Sequence, residues 1–363
     1  MNIKVQKEDF VKILSTTVGI ANPKAPSPIL SNILLQADAG KIIAVGYDLE
    51  IGIKTQCPAE VLEKGAVAIP ARKIFDIIRE LPGKEVEVTV TKSFAINIKA
   101  GKAYFKVVGM DPADFPKITE PEPEWTLEIE QSVLKHCLTV TAIAISHDET
   151  RYTLNGALVS LKKGFIRFVA TDGKRLAMIE KEIGEEKNIN FESILPAKTI
   201  TELLKMLTTD GKMRIMYAKN QMVFQAGETT IISRLIEGKF PSFEQVIPKE
   251  EKTKAEVGRE EFLSAIKRVS LLTSQESQSI KLDFIKDKIL ISSRTPNLGE
   301  AKEDIDANIE GDDVTIGFNP GYLLDVLKTL GTEKINLSLI QADKPGVIKS
   351  GEYVYVVMPM QLN

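Results

Sequence analysis

One apolar spacing occurs three times in this chain, and it fixes what kind of architecture the chain can adopt. In IPARKIFDIIREL (69–81), Ile74, Ile77, Ile78 and Leu81 fall at steps 0, 3, 4 and 7, the stripe of a helix that rests one face on a core. LPAKTITELLKML (195–207) repeats it with Ile200, Leu203, Leu204 and Leu207, and FNPGYLLDVLKTL (318–330) with Leu323, Val326, Leu327 and Leu330. Each copy has a proline near its start (Pro70, Pro196, Pro320), where a helix has no use for the missing N–H. An acid then a base follow at matched places: Asp76 and Arg79, Glu202 and Lys205, Asp325 and Lys328. Asp76 and Glu202 are 126 residues apart, Glu202 and Asp325 123. That period is too long for a solenoid unit and matches one small domain.

A second helical signature keeps the same beat. Its stripes are Phe10, Ile13, Leu14, Thr17; Val133, His136, Cys137, Val140; and Phe262, Ala265, Ile266, Val269. Two helices per repeat follow. Between them lie segments of period-two alternation, at 86–90, 96–108, 213–218, 222–236, 335–340 and 352–359. Hairpins are marked by the glycines of AGK (100), AGE (226) and KSGE (349). Proline and charge collect at 117–125 and 247–257. The expectation is an α+β chain of three similar domains, 1–122, 126–248 and 254–363, each with two helices and antiparallel sheets.

Composition removes several functional classes. No apolar run reaches the ~20 residues that span a bilayer, and MNIKVQKEDF lacks a signal-peptide core. Cys57 and Cys137 are too few for a disulfide framework, so a reducing cytoplasm is expected. A net charge of −3 argues against coating nucleic acid by bulk positive charge. No GxxxxGK[ST], HExxH, GxSxG or paired CxxC occurs, so no catalytic residue, cofactor or metal is expected. His136 is read as a packed stripe residue. His147, beside Asp148 and Glu149, is a solvated turn histidine or an acid–base group. DIDANIEGDD (304–313) imitates a calcium loop but has Ile309 where the glycine belongs and Thr315 at the twelfth place. A strand with one wet face is expected there.

The helix faces opposite the stripes carry Lys12, Arg72, Lys73, Arg79, Lys135, Lys198, Lys205, Lys267, Arg268 and Lys328 among acids. They are either ordinary solvated surface or the lining of a bore. Six helices side by side in a circle, at ~10 Å spacing and thickness, leave a hole of only about 10 Å. Twelve helices from two chains leave about 28 Å, enough for a duplex of about 20 Å. A closed dimer is the arrangement that works. A repeat-built protein scaffold with no bore is the competing architecture.

Nine segments in one order carry a resemblance over essentially the whole chain: PILSNILLQA (28), YDLEIGI (47), IPARKIFDIIRELP (69), DFPKI (114), RYTLNG (151), ATDGKRLA (170), GKFPSFEQVIP (238), GFNPGYLLDVL (317) and YVYVVMPMQL (353). The chain resembles the bacterial DNA polymerase III beta subunit, the sliding clamp family. The resemblance implies a non-catalytic processivity factor, a head-to-tail homodimeric ring with helices inside, around double-stranded DNA without sequence preference. It implies a cytoplasmic, nucleoid-associated protein opened by an ATP-driven loader. Implied partners are the DNA polymerase III alpha subunit, clamp-loader subunits, translesion polymerases, mismatch-repair proteins and DNA ligase.

Carried over by position, the duplex-facing residues are Lys24, Arg72, His147, Arg151, Tyr152 and Lys198. Relatives often carry arginine, glutamine and tyrosine where this chain has Lys24, Asp148 and Thr153. The implied client-peptide groove is Leu154, Thr171, Gly173, Arg175, Leu176, Pro241, Val246, Val356, Val357, Met358, Pro359 and Met360. Lys174, Gln245 and Gln361 replace the histidine and arginines frequent on its rim. Methionine suits a surface that takes many clients. VVMPM is too apolar for a frayed terminus; read without the resemblance, the alternative is a last edge strand over its own core. The implied ring joint sets Lys99, Lys102 and Phe105 of one chain against Leu271, Leu272, Glu300 and Glu303 of the other. Leu271 and Leu272 read as interface or as core leucines.

Overall fold

The structure, a computed structural model, describes residues 1–21, 27–184, 189–273, 279–296 and 298–362. Among them are six α-helices, α1 (Lys7–Val18), α2 (Ala71–Glu80), α3 (Gln131–Ala142), α4 (Ala197–Met206), α5 (Arg259–Val269) and α6 (Pro320–Thr329), two in each predicted repeat. The stripes of α1, α5 and α6 are buried as the spacing requires, at Phe10, Ile13, Leu14 and Thr17, at Phe262, Ala265, Ile266 and Val269, and at Leu323, Val326, Leu327 and Leu330. In α2 and α4 the core positions are Ile74, Ile78 and Leu81, and Ile200, Leu203 and Leu207, while Ile77 and Leu204 are half-buried. Asn319 caps α6, its side chain accepting from Gly321 N at 2.8 Å ahead of Pro320.

Helix α3 corrects the sequence reading. His136 is exposed and Val133 half-buried, Cys137 and Val140 of the expected stripe are buried, and the buried face runs along Leu134, Cys137, Leu138 and Thr141. The steps are still 0, 3, 4 and 7, but shifted by one residue, because a core histidine would have to lose its hydration.

The chain forms two compact units, Met1–Ser132 with Thr201–Leu235, and Val133–Ile200 with Ile236–Asn363. The first holds a five-stranded sheet in the order Glu60–Glu63, Asn2–Gln6, Glu85–Val90, Ala95–Ala100, Ala103–Val108. It also holds an eight-stranded sheet, Trp125–Glu130, Lys212–Ala218, Gln221–Ala226, Thr229–Arg234, Ile51–Pro58, Lys41–Tyr47, Asn32–Asp38, Gly65–Pro70. The second unit is built on twelve strands: Phe191–Pro196, Gly156–Lys162, Phe165–Thr171, Arg175–Glu182, Tyr353–Val357, Gly346–Ser350, Lys334–Leu339, Thr253–Gly258, Gly299–Gly311, Lys288–Thr295, Ile280–Ile285 and Val314–Phe318. All strand pairings within these sheets are antiparallel.

Two of these pairings join different repeats. Thr229–Arg234 pairs with Ile51–Pro58, so half of the central repeat continues the first repeat's sheet. Arg175–Glu182 pairs with Tyr353–Val357, so the other half continues the third repeat's. The predicted hairpins are present, with Gly101, Gly227 and Gly351 at φ of +56°, +53° and +58°, where a side chain would be strained. The charged 247–257 segment is not all connection, since its end begins the strand Thr253–Gly258. Residues 304–311 of the 304–313 run belong to the strand Gly299–Gly311, with Asp304, Asp306 and Asn308 exposed and Ile305 buried.

Candidate functional site

The second unit carries an apolar groove of about 170 Å³, lined by Leu154, Thr171, Gly173, Arg175, Leu176, Pro241, Ser242, Phe243, Val246, Val356 and Met358. Its floor belongs to a cluster of Leu154, Leu158, Val169, Leu176, Phe240, Phe243 and Val356, in which Phe240 and Phe243 meet edge to face at 6.4 Å. A cavity of about 150 Å³ is known to accept benzene, so this groove has room for one leucine- or phenylalanine-sized anchor.

The loop Thr171–Arg175 forms one wall because its backbone is tied to itself. Asp172 Oδ1 accepts from Lys174 N at 2.9 Å and Arg175 N at 3.0 Å, an Asx turn. Thr171 Oγ1 accepts from Gly173 N at 3.1 Å and donates to Arg175 O at 2.6 Å. Gly173, at φ +85°, makes the turn possible, and a Cβ there would meet Arg151 Nη1 at 3.0 Å. Lys174 O accepts from Met358 N at 2.9 Å, which fastens the chain end to this loop.

Arg175 is held from several sides. Its Nε donates to Asp172 Oδ2 at 3.1 Å, its Nη1 donates to Asp325 Oδ2 at 2.7 Å, and its guanidinium lies 4.5 Å from the Tyr322 ring centroid. Burial works against the charge, but the bonds to Asp325 and Tyr355 and the field of Asp172 outweigh it and raise the pKa above the ordinary value. Burial pushes the Tyr355 phenol upward, and its hydroxyl donates to Tyr322 O at 2.9 Å.

Of the residues proposed for the groove, Leu154, Thr171, Gly173, Arg175, Leu176, Pro241, Val246, Val356 and Met358 come together here. Val357 is fully buried and does not line it; neighbours along a strand point to opposite faces, so Val356 and Val357 cannot share one groove. Pro359 and Met360 border an adjoining depression with Gly317 and Leu362, where Met360 N donates to Gly317 O at 2.8 Å. The strand Tyr353–Val357 has a neighbour on both sides and is not an edge strand. Ser242, Phe243, Tyr322 and Asp325 were not anticipated. The signal for the first two was the Phe240–Pro241–Phe243 spacing.

Among the duplex-facing set, Lys24 lies outside the described residues. Arg72, in the first unit, and Lys198, in the second, are exposed in the first turns of α2 and α4. His147, Arg151 and Tyr152 share one exposed segment, whose 3₁₀ turn Glu149–Leu154 is capped by Asp148 accepting from Thr150 N at 3.0 Å. Hydrogen bonds from the Thr150 side chain and backbone hold the Asp148 carboxyl below its ordinary pKa. Lys198 joins that segment through Ala197 N donating to Asn155 O at 2.9 Å. Arg151 reaches back to Asp148 at 3.6 Å and to Asp172 O at 3.4 Å, between this surface and the groove loop.

Of the residues named for a joint, Phe105, Glu300 and Glu303 fall on two open strand edges, Lys99 and Lys102 lie on the strand and turn beside the first, and Leu271 and Leu272 on the 3₁₀ turn Ser270–Leu272. Ala103–Val108 is the last strand of its sheet and exposes Tyr104, Phe105 (41%) and Val108 (79%), with Lys99 and Lys102 also exposed. In Gly299–Gly311, residues 299–306 pair with Lys288–Thr295 on one edge and residues 307–311 with Thr253–Gly258 on the other. Among the described residues this leaves 299–306 open on one side. Glu300 pairs with Lys302 at 2.5 Å, and Glu303 accepts from Arg268 Nε at 3.0 Å. Leu271 is 78% exposed and Leu272 half-buried, which removes the core reading for Leu271.

Among the described residues no group of three or more His, Cys, Asp or Glu is placed to hold a metal ion, and no helix is long and apolar enough to cross a membrane. Repeated α+β modules sharing sheets around an apolar groove define a modular protein whose built site is shaped for an apolar side chain. The family descriptions for the N-terminal, central and C-terminal domains of the DNA polymerase III beta subunit match residues 1–119, 128–242 and 244–361. The chain is 31% identical over 367 residues to the beta sliding clamp of Pseudomonas putida and 29% over 364 to that of Chlamydia pneumoniae, covering all of both chains in each case. Among solved structures, the Pseudomonas aeruginosa DnaN sliding clamp bound to griselimycin matches with a TM-score of 0.95 at 31% identity, again over all of both chains. The chain belongs to the DNA polymerase III beta subunit family, the beta sliding clamps, which are non-catalytic processivity subunits of that polymerase.

Proposed function

We propose that this clamp works as a ring of two chains closed head to tail around double-stranded DNA, tethering the replicative polymerase and other DNA-processing proteins through the groove beside Arg175. The domains run 1–122, 126–248 and 254–363. Arg72, His147, Arg151, Tyr152, Lys198 and Lys24 meet the duplex through a few basic contacts. A short list suits sliding, because each neutralised phosphate adds to salt-sensitive, sticky binding. The two open strand edges form the joint, with Lys99, Lys102 and Phe105 facing Leu271, Leu272, Glu300 and Glu303; apolar anchors in a charged surround make it specific yet openable. The protein acts in the cytoplasm, at the nucleoid.

The observation that carries the tethering role is the groove, an apolar depression with room for one anchor and walls tied by their own backbone. One small apolar anchor lets many clients share a site. Griselimycin, bound by the P. aeruginosa clamp, serves as a probe. Val246→Asp, at a rim residue 43% exposed and so tolerated by the fold, is expected to abolish its binding while the melting temperature holds. Retention on DNA tests the ring. After loading by an ATP-driven loader, the clamp stays on circular duplex and runs off once the circle is linearised. Equal retention on both forms refutes encirclement.

A further inference from the structure

The three copies of the repeated helix treat their matched acid differently. In α2, Asp76 lies 3.7 Å from Arg79 one turn on, and in α4, Glu202 lies 2.7 Å from Lys205, the ordinary pairing of neighbours on a helix surface. In α6 the matched acid, Asp325, instead meets Arg175 at 2.7 Å, on a strand 150 residues earlier. Arg175 lines the groove, and its side chain is only 12% exposed.

The contacts are complementary. Asp172 takes the Nε edge of the guanidinium, Asp325 takes Nη1, and Tyr322, three residues before Asp325, supplies a face to the cation. A planar fork held on two edges and one face has one orientation left to it. Because Asp172 also ties the backbone of Lys174 and Arg175, the side-chain lock and the loop wall are one assembly. The contacts that hold this wall thus come from the chain itself, the arrangement that lowers the entropic cost of fixing a site's walls on binding.

We propose that Asp325 is a positioning residue for the groove. It fixes Arg175 against Asp172 and Tyr322 and so holds the 171–175 wall in the shape an apolar anchor requires. The proposal rests on the groove reading above. It makes the third copy of the acid a specificity element, whereas the first two act locally.

The test measures griselimycin affinity of the full chain by calorimetry, with melting temperatures alongside. Asp325→Ala and Asp325→Asn are expected to weaken binding roughly three- to tenfold, the scale of one charge-assisted contact acting through a neighbour. Asp325→Glu is expected to restore part of the loss. Asp76→Ala, at the matched acid of the first repeat, is expected to leave affinity unchanged. In an Arg175→Ala background, Asp325→Ala is expected to add nothing, since the two act as a unit. Where Arg175→Ala alone removes measurable binding, the comparison of Glu with Asn at 325 decides. Unchanged affinity in Asp325→Ala, equal loss in Asp76→Ala, or a full additive loss in the double variant overturns the assignment. A parent protein that binds no griselimycin overturns the groove reading instead.

Discussion

Truncating Leu271 puts a number on the proposed joint. In the single chain this side chain is 78% exposed, so a partner that covers it recovers most of its transfer free energy. Leu271→Ala removes three carbons, about 2.4 kcal/mol at ~0.8 kcal/mol per buried carbon. Scaled to the 78% that is open, that is about 1.9 kcal/mol at each joint. A two-fold ring closes through two identical joints, so dimerisation loses ~4 kcal/mol and the dimer Kd rises roughly 10²- to 10³-fold. Sedimentation across a wide concentration range measures this directly. The same change leaves the monomer's own stability within ~0.5 kcal/mol, because an exposed side chain contributes little to folding. A dimer Kd within threefold of the parent's refutes the assignment of Leu271 to the joint.

Two further outcomes test the fold. Gly156→Ala places a Cβ 2.3 Å from Leu195 O, too close for the pairing of Gly156–Lys162 with Phe191–Pro196, and is expected to lower the melting temperature sharply; an unchanged melt refutes the register. Burial pushes the thiols of Cys57 and Cys137 up to about 12, so at pH 8 both stay protonated and the native protein resists Ellman's reagent. As the folded pKa lies above the unfolded one, their contribution to stability is present at neutral pH and is lost as pH rises toward 12. Rapid labelling at pH 8 contradicts this.

Much of the fold is legible in the chain because helices with one buried face write a period into the sequence. The stripes of α1, α5 and α6 match residue for residue, and the hairpin glycines stand where positive φ is needed. His136 shows where matching copies by alignment misleads: Leu134, Cys137, Leu138 and Thr141 keep the spacing one residue away, and the chemistry of histidine decides between the two phases. Val357 could have been excluded by strand alternation alone. Tyr322 and Asp325 could not have been found that way, since both reach the strand residue Arg175 from helix α6, and no local pattern records a contact across 150 residues. The groove's wall is tertiary chemistry, and a sequence carries it only through the fold.

The seams between repeats are closed by backbone hydrogen bonds, Thr229–Arg234 to Ile51–Pro58 on one side and Arg175–Glu182 to Tyr353–Val357 on the other. A fragment cut where the sequence repeats would leave one of these ladders without its mate, a raw border inviting aggregation. The evolutionary module and the excisable piece are thus different objects, and anyone dividing this molecule for expression should keep both ladders whole.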